Sequence, residues 1–304
     1  MIELTIYGLV HGSIISLGAI GLTLIFGIIR FANFAHGDLM SAGAYLALFL
    51  ITDLFSWLGI PDNNFGLLSF GWRMLLAFPI SMLCVGLVAI LLDRILYQRL
   101  RQGGSGPVML AISSLGAAFI IRMILLLFWG ADSIFYKPGL LRYAIELPLG
   151  AKIRPDQILI LIVVVFFVTV LHLFLQKSKL GKAMRSMADN MELARISGID
   201  TDKIIMLTWG IGGALAAAAG MLYGIDVQLN PYMGWNFLIP LFAATILGTI
   251  GNVYGALAGG LVIGLVQEIS TAFLLPTYKP AVAFIIMILI LLIRPKGIFG
   301  GSIG

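Results

Sequence analysis

Asn33, His36 and Asp38 fall within six consecutive positions, in the stretch RFANFAHGDLMSAG at Arg30–Gly43, and apolar runs at Tyr7–Ile29 and Leu39–Ile51 flank them. An amide, an imidazole and a carboxylate this close together suit a polar pathway through an apolar medium, or a hydrogen-bonded cap on a helix. Metal chemistry is not expected. A metal site needs several converging ligands, and His11 and His172, the remaining histidines, stand at no ligand-like spacing. Asp38 carries two readings, the cap of a helix starting at Leu39 or a group lining a pathway. His36 reads as a structural hydrogen-bonding residue, with Asn33 and His36 satisfied by backbone.

Arg122 and Glu268 pose the same question deeper in the chain. Each stands seven residues before the end of its apolar run, at Trp129 and Leu275, which is about 10 Å below one surface at 1.5 Å per residue. The aliphatic stem of Arg122 reaches water from that depth, whereas Glu268, with Gln267 beside it, makes a polar spot. The matched depths predict an Arg122–Glu268 pair near the outer mouth. The candidate pathway set is therefore Asn33, His36, Asp38, Arg122, Gln267 and Glu268. The G-x-S-x-G match at Gly300–Gly304 follows the Pro- and Gly-bearing RPKGIF and not a strand pattern, so an embedded enzyme is not expected and no catalytic residue is assigned. A phosphate loop is missing: Gly181-Lys182 is followed by Ala183, and Gln176 stands where the first glycine belongs.

The elements that hold these groups follow from composition. The 304 residues are 60% hydrophobic and 11% charged, with a mean hydropathy of +1.06. A soluble domain carries about 25% charged residues, so this chain cannot cover a surface of its own size with polar groups. The fold class expected is all-α, a polytopic transmembrane bundle of eight or nine spans forming one domain over 1–304. Cys84 stands alone, which excludes an intrachain disulfide. The net charge of +5 sits in short loops, so no nucleic-acid partner is expected; the surrounding partner is membrane lipid.

A helical span needs about 20 apolar residues. Tyr7–Ile29, Trp72–Leu96, Pro107–Trp129, Gln157–Leu175, Ile204–Gly224 and Val253–Leu275 qualify, while Leu39–Ile51, Phe237–Ile250 and Ala281–Ile293 are short. Leu39–Ile51 either draws the preceding FANFAHGD into the membrane or is re-entrant, and non-helical backbone at that depth must be buried in protein or line a wet cavity. With nine crossings, Arg30, Arg94, Arg99, Arg101, Lys177, Lys179, Lys182, Arg185, Arg195, Lys203, Arg294 and Lys296 share one side. Only Arg73, Lys137, Arg142, Lys152, Arg154 and Lys279 lie on the other. The positive-inside rule then places the amino terminus outside and the carboxyl terminus in the cytosol. The outer loop Gly130–Asp156 carries turns at Pro138-Gly139, Pro148 and Pro155. Rows of small residues at Gly212, Ala216, Gly220 and Gly224, and at Gly251, Gly255 and Gly259, predict tight helix packing.

The polar segment Lys177–Asp202 reads as a cytosolic coupling segment. Met184, Met187, Ala188, Met191 and Ala194 recur at helical spacing, opposite a charged face with Arg185, Asp189 and Glu192. Such a stripe docks a partner, packs on the protein's own spans, or lies at the membrane interface. Gly198 suits the left-handed residue past the helix end, and Asp200 and Thr201 suit the cap of the next span.

These residues also carry a resemblance. Glu192-Leu193-Ala194-x-x-x-Gly198 resembles the EAA-x-x-x-G cytoplasmic loop of ABC importer permeases, with Leu193 in place of the first Ala of the motif. GKAMRSMADNMELARISGID, NFAHGD at Asn33–Asp38, LGTIGNVYGALAGG at Leu247–Gly260 and RPKGIFG at Arg294–Gly300 resemble segments of the branched-chain amino acid permeases, in family order. The resemblance implies a multi-pass subunit of a bacterial inner-membrane importer. Its partners would be a second permease chain (a sister or a second copy), an external substrate-binding protein and two ATP-binding subunits. ATP and Mg would be bound by those subunits, leaving no cofactor in this chain. Met184–Gly198 would be the coupling helix, its stripe entering a groove of the ATPase. The small-molecule substrate implied is a branched-chain or similar amino acid, with urea or a short-chain amide as the alternative within the family. From the residues alone, an ion-coupled secondary transporter using Asp38 and Glu268 and a passive channel also stand.

Overall fold

Residues 1–62, 68–136, 144–146, 152–294 and 297–300 are described by a computed structural model of the chain. Lys137, Pro138, Gly139, Arg142, Pro148 and Lys296 lie outside those residues. Among the described residues, eight helices are long and apolar enough to cross a membrane. They are α1 (Ile2–Ile29), α2 (Ala35–Trp57), α3 (Trp72–Gln102), α4 (Pro107–Trp129), α5 (Pro155–Lys177), α8 (Thr201–Asp226), α10 (Val253–Ser270) and α11 (Pro276–Ile293). The short helices α6 (Lys179–Asp189) and α7 (Met191–Ile196) precede α8, and α9 (Met233–Leu247) carries Pro240 in its interior. With 15 residues, α9 is about 22 Å long, short of the hydrocarbon thickness. Two short strands, β1 (Ile145–Glu146) and β2 (Lys152–Ile153), pair antiparallel in the Gly130–Asp156 loop of this otherwise helical, all-α fold.

The middle of the bundle is α1, against which α10, α8, α9 and α5 pack; α2 packs on α8, α4, α9 and α3. Lipid supplies no hydrophobic force between helices, so backbone proximity and dispersion must hold them together. The small residues provide it. A Cβ on Gly264 would strike the backbone of Gly12, and one on Gly234 that of Gly37. Of the row Gly251–Gly259, Gly251 falls in the turn before α10 at φ +85°, while Gly255 faces Gly248, just past the end of α9, and Gly259 faces Ala244 of α9. The peripheral helices α3, α4 and α11 expose large apolar side chains such as Leu83, Leu127 and Leu292.

Two expectations about α2 are corrected. The helix begins at Ala35, not Leu39, and at its far end continues through a π-turn at Leu50–Leu54 to Trp57, so its 23 residues are long enough to cross. Asp38 therefore lies inside the first turn and caps nothing. The polar stretch joins the helix because its side chains find partners on other helices. Between α1 and α2 the chain is non-helical and dips below the surface: Phe34 N–H donates to Ser114 Oγ (2.9 Å), seven residues, or about 10 Å, into α4. Phe31 is enclosed there by Tyr97 and Trp209, which stack at 5.0 Å.

Candidate functional site

The first turn of α2 carries the polar cluster to the middle of the bundle. Asn33 Oδ1 accepts the Ala35 N–H (3.1 Å), closing the non-helical entry. His36, fully buried, bonds through Nε2 to the Gly18 carbonyl of α1 (2.9 Å). Asp38, also fully buried, receives two hydrogen bonds from Arg122 of α4: Nε to Oδ1 at 3.0 Å and Nη2 to Oδ2 at 2.8 Å. The fork of the guanidinium matches both carboxylate oxygens. Three aromatic rings close over it, Trp235 at 4.7 Å from Cζ, Phe119 at 5.4 Å and Tyr232 at 6.0 Å. Burying two charges costs several kcal/mol per ion, and only such complete pairing offsets it.

The predicted Arg122–Glu268 pair is not formed. Arg122 turns toward α2, and Glu268 is held by Lys279 Nζ at 2.5 Å. α10 ends at Ser270, not Leu275, so Glu268 is two residues from a helix end and not 10 Å deep. Matched depth along the chain does not fix the angle around each helix, and here the two side chains face different neighbours. Gln267 Nε2 donates to the Lys279 carbonyl (2.9 Å). Thus Asn33, His36, Asp38 and Arg122 come together in one cluster, while Gln267 and Glu268 form a second with Lys279.

That second cluster sits at the end of the bundle away from α6 and α7, and it has neighbours the sequence did not single out. His11 of α1 packs on Phe237 (5.3 Å) and Tyr223 (6.2 Å), with Lys279 and Asp226 close enough to act on its ring electrostatically. Asp226 is itself paired with Arg154 and accepts from Gln157 Nε2 (3.1 Å). Opposite charges and aromatic faces alternate here, an arrangement able to meet both ends of a zwitterion with an apolar side chain. The aromatic cover on Arg122 was missed too; Tyr232 and Trp235 beside Gly234 were its signal. In the loop after α4, Tyr136 donates to the Ala44 carbonyl (2.9 Å), and burial pushes its phenol well above the usual range.

At the other end, the segment Lys177–Asp202 forms two helices, not one. Asn190 breaks them, with extended backbone (φ −152°) and a side chain accepting the Leu193 N–H (3.0 Å). Asn is among the strongest N-caps, and this signal was present in the sequence. The Met stripe does not face outward. Met184 and Met187 are 2% and 1% exposed and belong to the apolar core, because α6 lies on α5, α8 and α1. Ala188 and Met191 are half-buried and Ala194 is buried, whereas Arg185, Asp189 and Glu192 are exposed with Leu193 (58%) and Ile196 (81%). Gly198 takes the left-handed conformation (φ +84°), and the Ile199 N–H closes the turn on the Ala194 carbonyl (3.1 Å). Asp200, not Thr201, caps α8 through the Lys203 N–H (3.1 Å).

An all-α bundle with buried mid-depth charges and a two-helix polar segment at one end defines a multi-pass membrane protein of the transporter kind. The chain belongs to the family described as "Branched-chain amino acid transport system / permease component", whose model matches residues 4–291. It is 33% identical over 303 residues to the high-affinity branched-chain amino acid transport system permease protein LivH of Escherichia coli (strain K12), covering 96% of this chain and 93% of that one. It is 35% identical over 297 residues to the corresponding BraD of Pseudomonas aeruginosa, at 96% and 94% coverage. A probable LivH of Methanocaldococcus jannaschii is 29% identical over 306 residues. A chain in the structure "PsaBC from Streptococcus pneumoniae in complex with Fab" shares the fold, with a TM-score of 0.50, 13% identity, and coverage of 96% and 92%.

Proposed function

We propose that this chain is a membrane-spanning permease subunit of an ATP-driven importer for branched-chain or similar amino acids. It works with a second permease chain, an external binding protein and two ATP-binding subunits, which hold the ATP and Mg and carry out hydrolysis. The observation that carries this reading is the full-length similarity to permeases named for branched-chain amino acid transport. The membrane is the bacterial inner membrane, with the amino terminus outside and α6–α7 in the cytosol, the orientation favoured by the excess of Lys and Arg on that side.

In this reading α6–α7 is the coupling segment. Leu193 and Ile196, ringed by Arg185, Glu192 and Arg195, meet the ATP-binding subunit. Met184 and Met187 instead fasten the segment to α5 and α8, so a push on α7 is passed to the bundle through packed side chains. Substrate enters past the Glu268–Lys279 and His11–Tyr223–Phe237 cluster. The Asp38–Arg122 pair holds α4 on α2 beside the path.

The test is uptake of labelled leucine into cells lacking their own importer, with the chain expressed alongside its partner subunits. ATP-dependent uptake, abolished by Leu193→Asp plus Ile196→Asp together with ATP-binding-subunit co-purification, is the expected result. Uptake driven by an ion gradient without ATP would overturn it.

A further inference from the structure

A groove of about 840 Å³ runs between α3 and α5 over α8. It has no role in the reading above. Its walls include Leu83, Leu87, Ile90, Phe167, Leu207 and Ile211. The floor is a close helix contact, for a Cβ on Gly86 would come within 2.9 Å of the Gly210 carbonyl oxygen. Leu83 and Leu87 are 68% and 59% exposed, so the groove opens sideways from the bundle. From Met206 to Ile225 along α8 it is about 28 Å long, nearly the whole hydrocarbon depth. A groove this long, with apolar walls along its whole length, takes a hydrocarbon chain.

Its two ends differ in the exposure of their cations: Arg94 and Lys203 are exposed at one end, Arg73 and Arg154 half-buried at the other. At the α6–α7 end, Arg94 lies one turn beyond Ile90 and donates to Sδ of Met206, a groove residue, at 3.4 Å. Lys203 lies one turn before Leu207 on the same face of α8; it pairs with Asp200 at 2.9 Å, both side chains being exposed. Among the described residues Arg94 has no carboxylate partner, and the adjacent Asp93 is taken by Arg101 (2.7 Å). At the opposite end Arg73 and Arg154 are half-buried against protein acceptors. Arg73 donates to the carbonyls of Ile60 (2.8 Å) and Ile51 (3.1 Å), and Arg154 is paired with Asp226.

We propose that this groove binds an anionic phospholipid from the leaflet on the α6–α7 side. Its phosphate sits between Arg94 and Lys203, and one acyl chain lies along Leu87, Gly210 and Ile211. A cation near the surface favours anionic lipid by roughly fivefold, so removing both weakens retention about 25-fold.

The experiment uses the chain purified with its co-purifying subunits, placed in nanodiscs of phosphatidylglycerol or of phosphatidylcholine, then stripped with detergent and examined by native mass spectrometry. The wild type is expected to retain one phosphatidylglycerol and little phosphatidylcholine. Arg94→Gln with Lys203→Gln, both at exposed positions, is expected to lose that preference. Ala214→Phe, which fills the groove and leaves both cations, is expected to lose the bound lipid while its elution profile stays that of the wild type. Equal retention of the two lipids by the wild type, or undiminished phosphatidylglycerol in either variant, would overturn the proposal. So would a partner chain cross-linked to Leu87→Cys.

Discussion

Arg122→Leu is the sharpest test of the mid-membrane cluster. The substitution removes both donors of Asp38, at 3.0 and 2.8 Å, and leaves a carboxylate with no exposure to water. Removing one partner of a buried pair costs about 3–5 kcal/mol. The lost guanidinium also forfeits its contact with Trp235 at 4.7 Å, worth about 1 kcal/mol or more when desolvated. Asp38→Leu should cost less, because Arg122 keeps its aromatic faces and lies only about 10 Å from the end of α4. In Asp38→Leu/Arg122→Leu neither charge remains to be buried, and the double variant should be more stable than Arg122→Leu alone. The expected coupling is about 2 kcal/mol or more, well beyond the few tenths seen for independent sites. Cys84, the single half-buried thiol, reports unfolding through a thiol-reactive fluorophore in detergent. If the losses of the two single variants simply add, the pair is not the lock described here.

Other expectations follow from the same structure. Gly234→Val drives a side chain into the Gly37 backbone and should destabilise the α2–α9 contact by about 1–3 kcal/mol, lowering the unfolding temperature and uptake together. Met187→Asp buries a charge under α6 and should lower the folded yield, whereas Leu193→Asp should leave the yield unchanged and reduce only ATPase coupling. The Lys203 side-chain hydrogen bond holds the Asp200 carboxyl below its usual range. The cap of α8 is thus intact above the ordinary Asp value and lost as pH falls through the lowered one. Hydrogen exchange at the Lys203 amide, corrected for intrinsic rate, should rise only at that lower pH, and at a higher pH in Lys203→Ala.

Much of the bundle was legible because burying apolar side chains in lipid needs about 20 of them in a row, a pattern written along the chain. The boundaries of α4 at Pro107 and Trp129 agree with that reading. What the chain does not write is the angle at which one helix meets another. Asp38 looked like a cap or a pathway group because its partner is 84 residues away. Arg122 was matched by depth to Glu268, while the nearer acid in space sits on α2. The Met stripe of α6 was legible as a period, but the period says that a face is covered without saying by what. Asn190 is different: its capping chemistry is local and readable, although the apolar stripe runs unbroken across the break it makes.

The pairing of Asp38 with Arg122 also has a consequence for the order in which the chain is made. A ribosome adds about 5–20 residues per second, so the 84 residues between the two charges take on the order of 4–17 s. During that interval the start of α2 holds an acid with no counter-charge. α4, by contrast, reaches the bilayer with its counter-ion already waiting. A carboxyl group has a neutral form in which to wait, whereas a guanidinium stays charged. Placing the acid first and the base second gives the waiting to the side chain better able to wait.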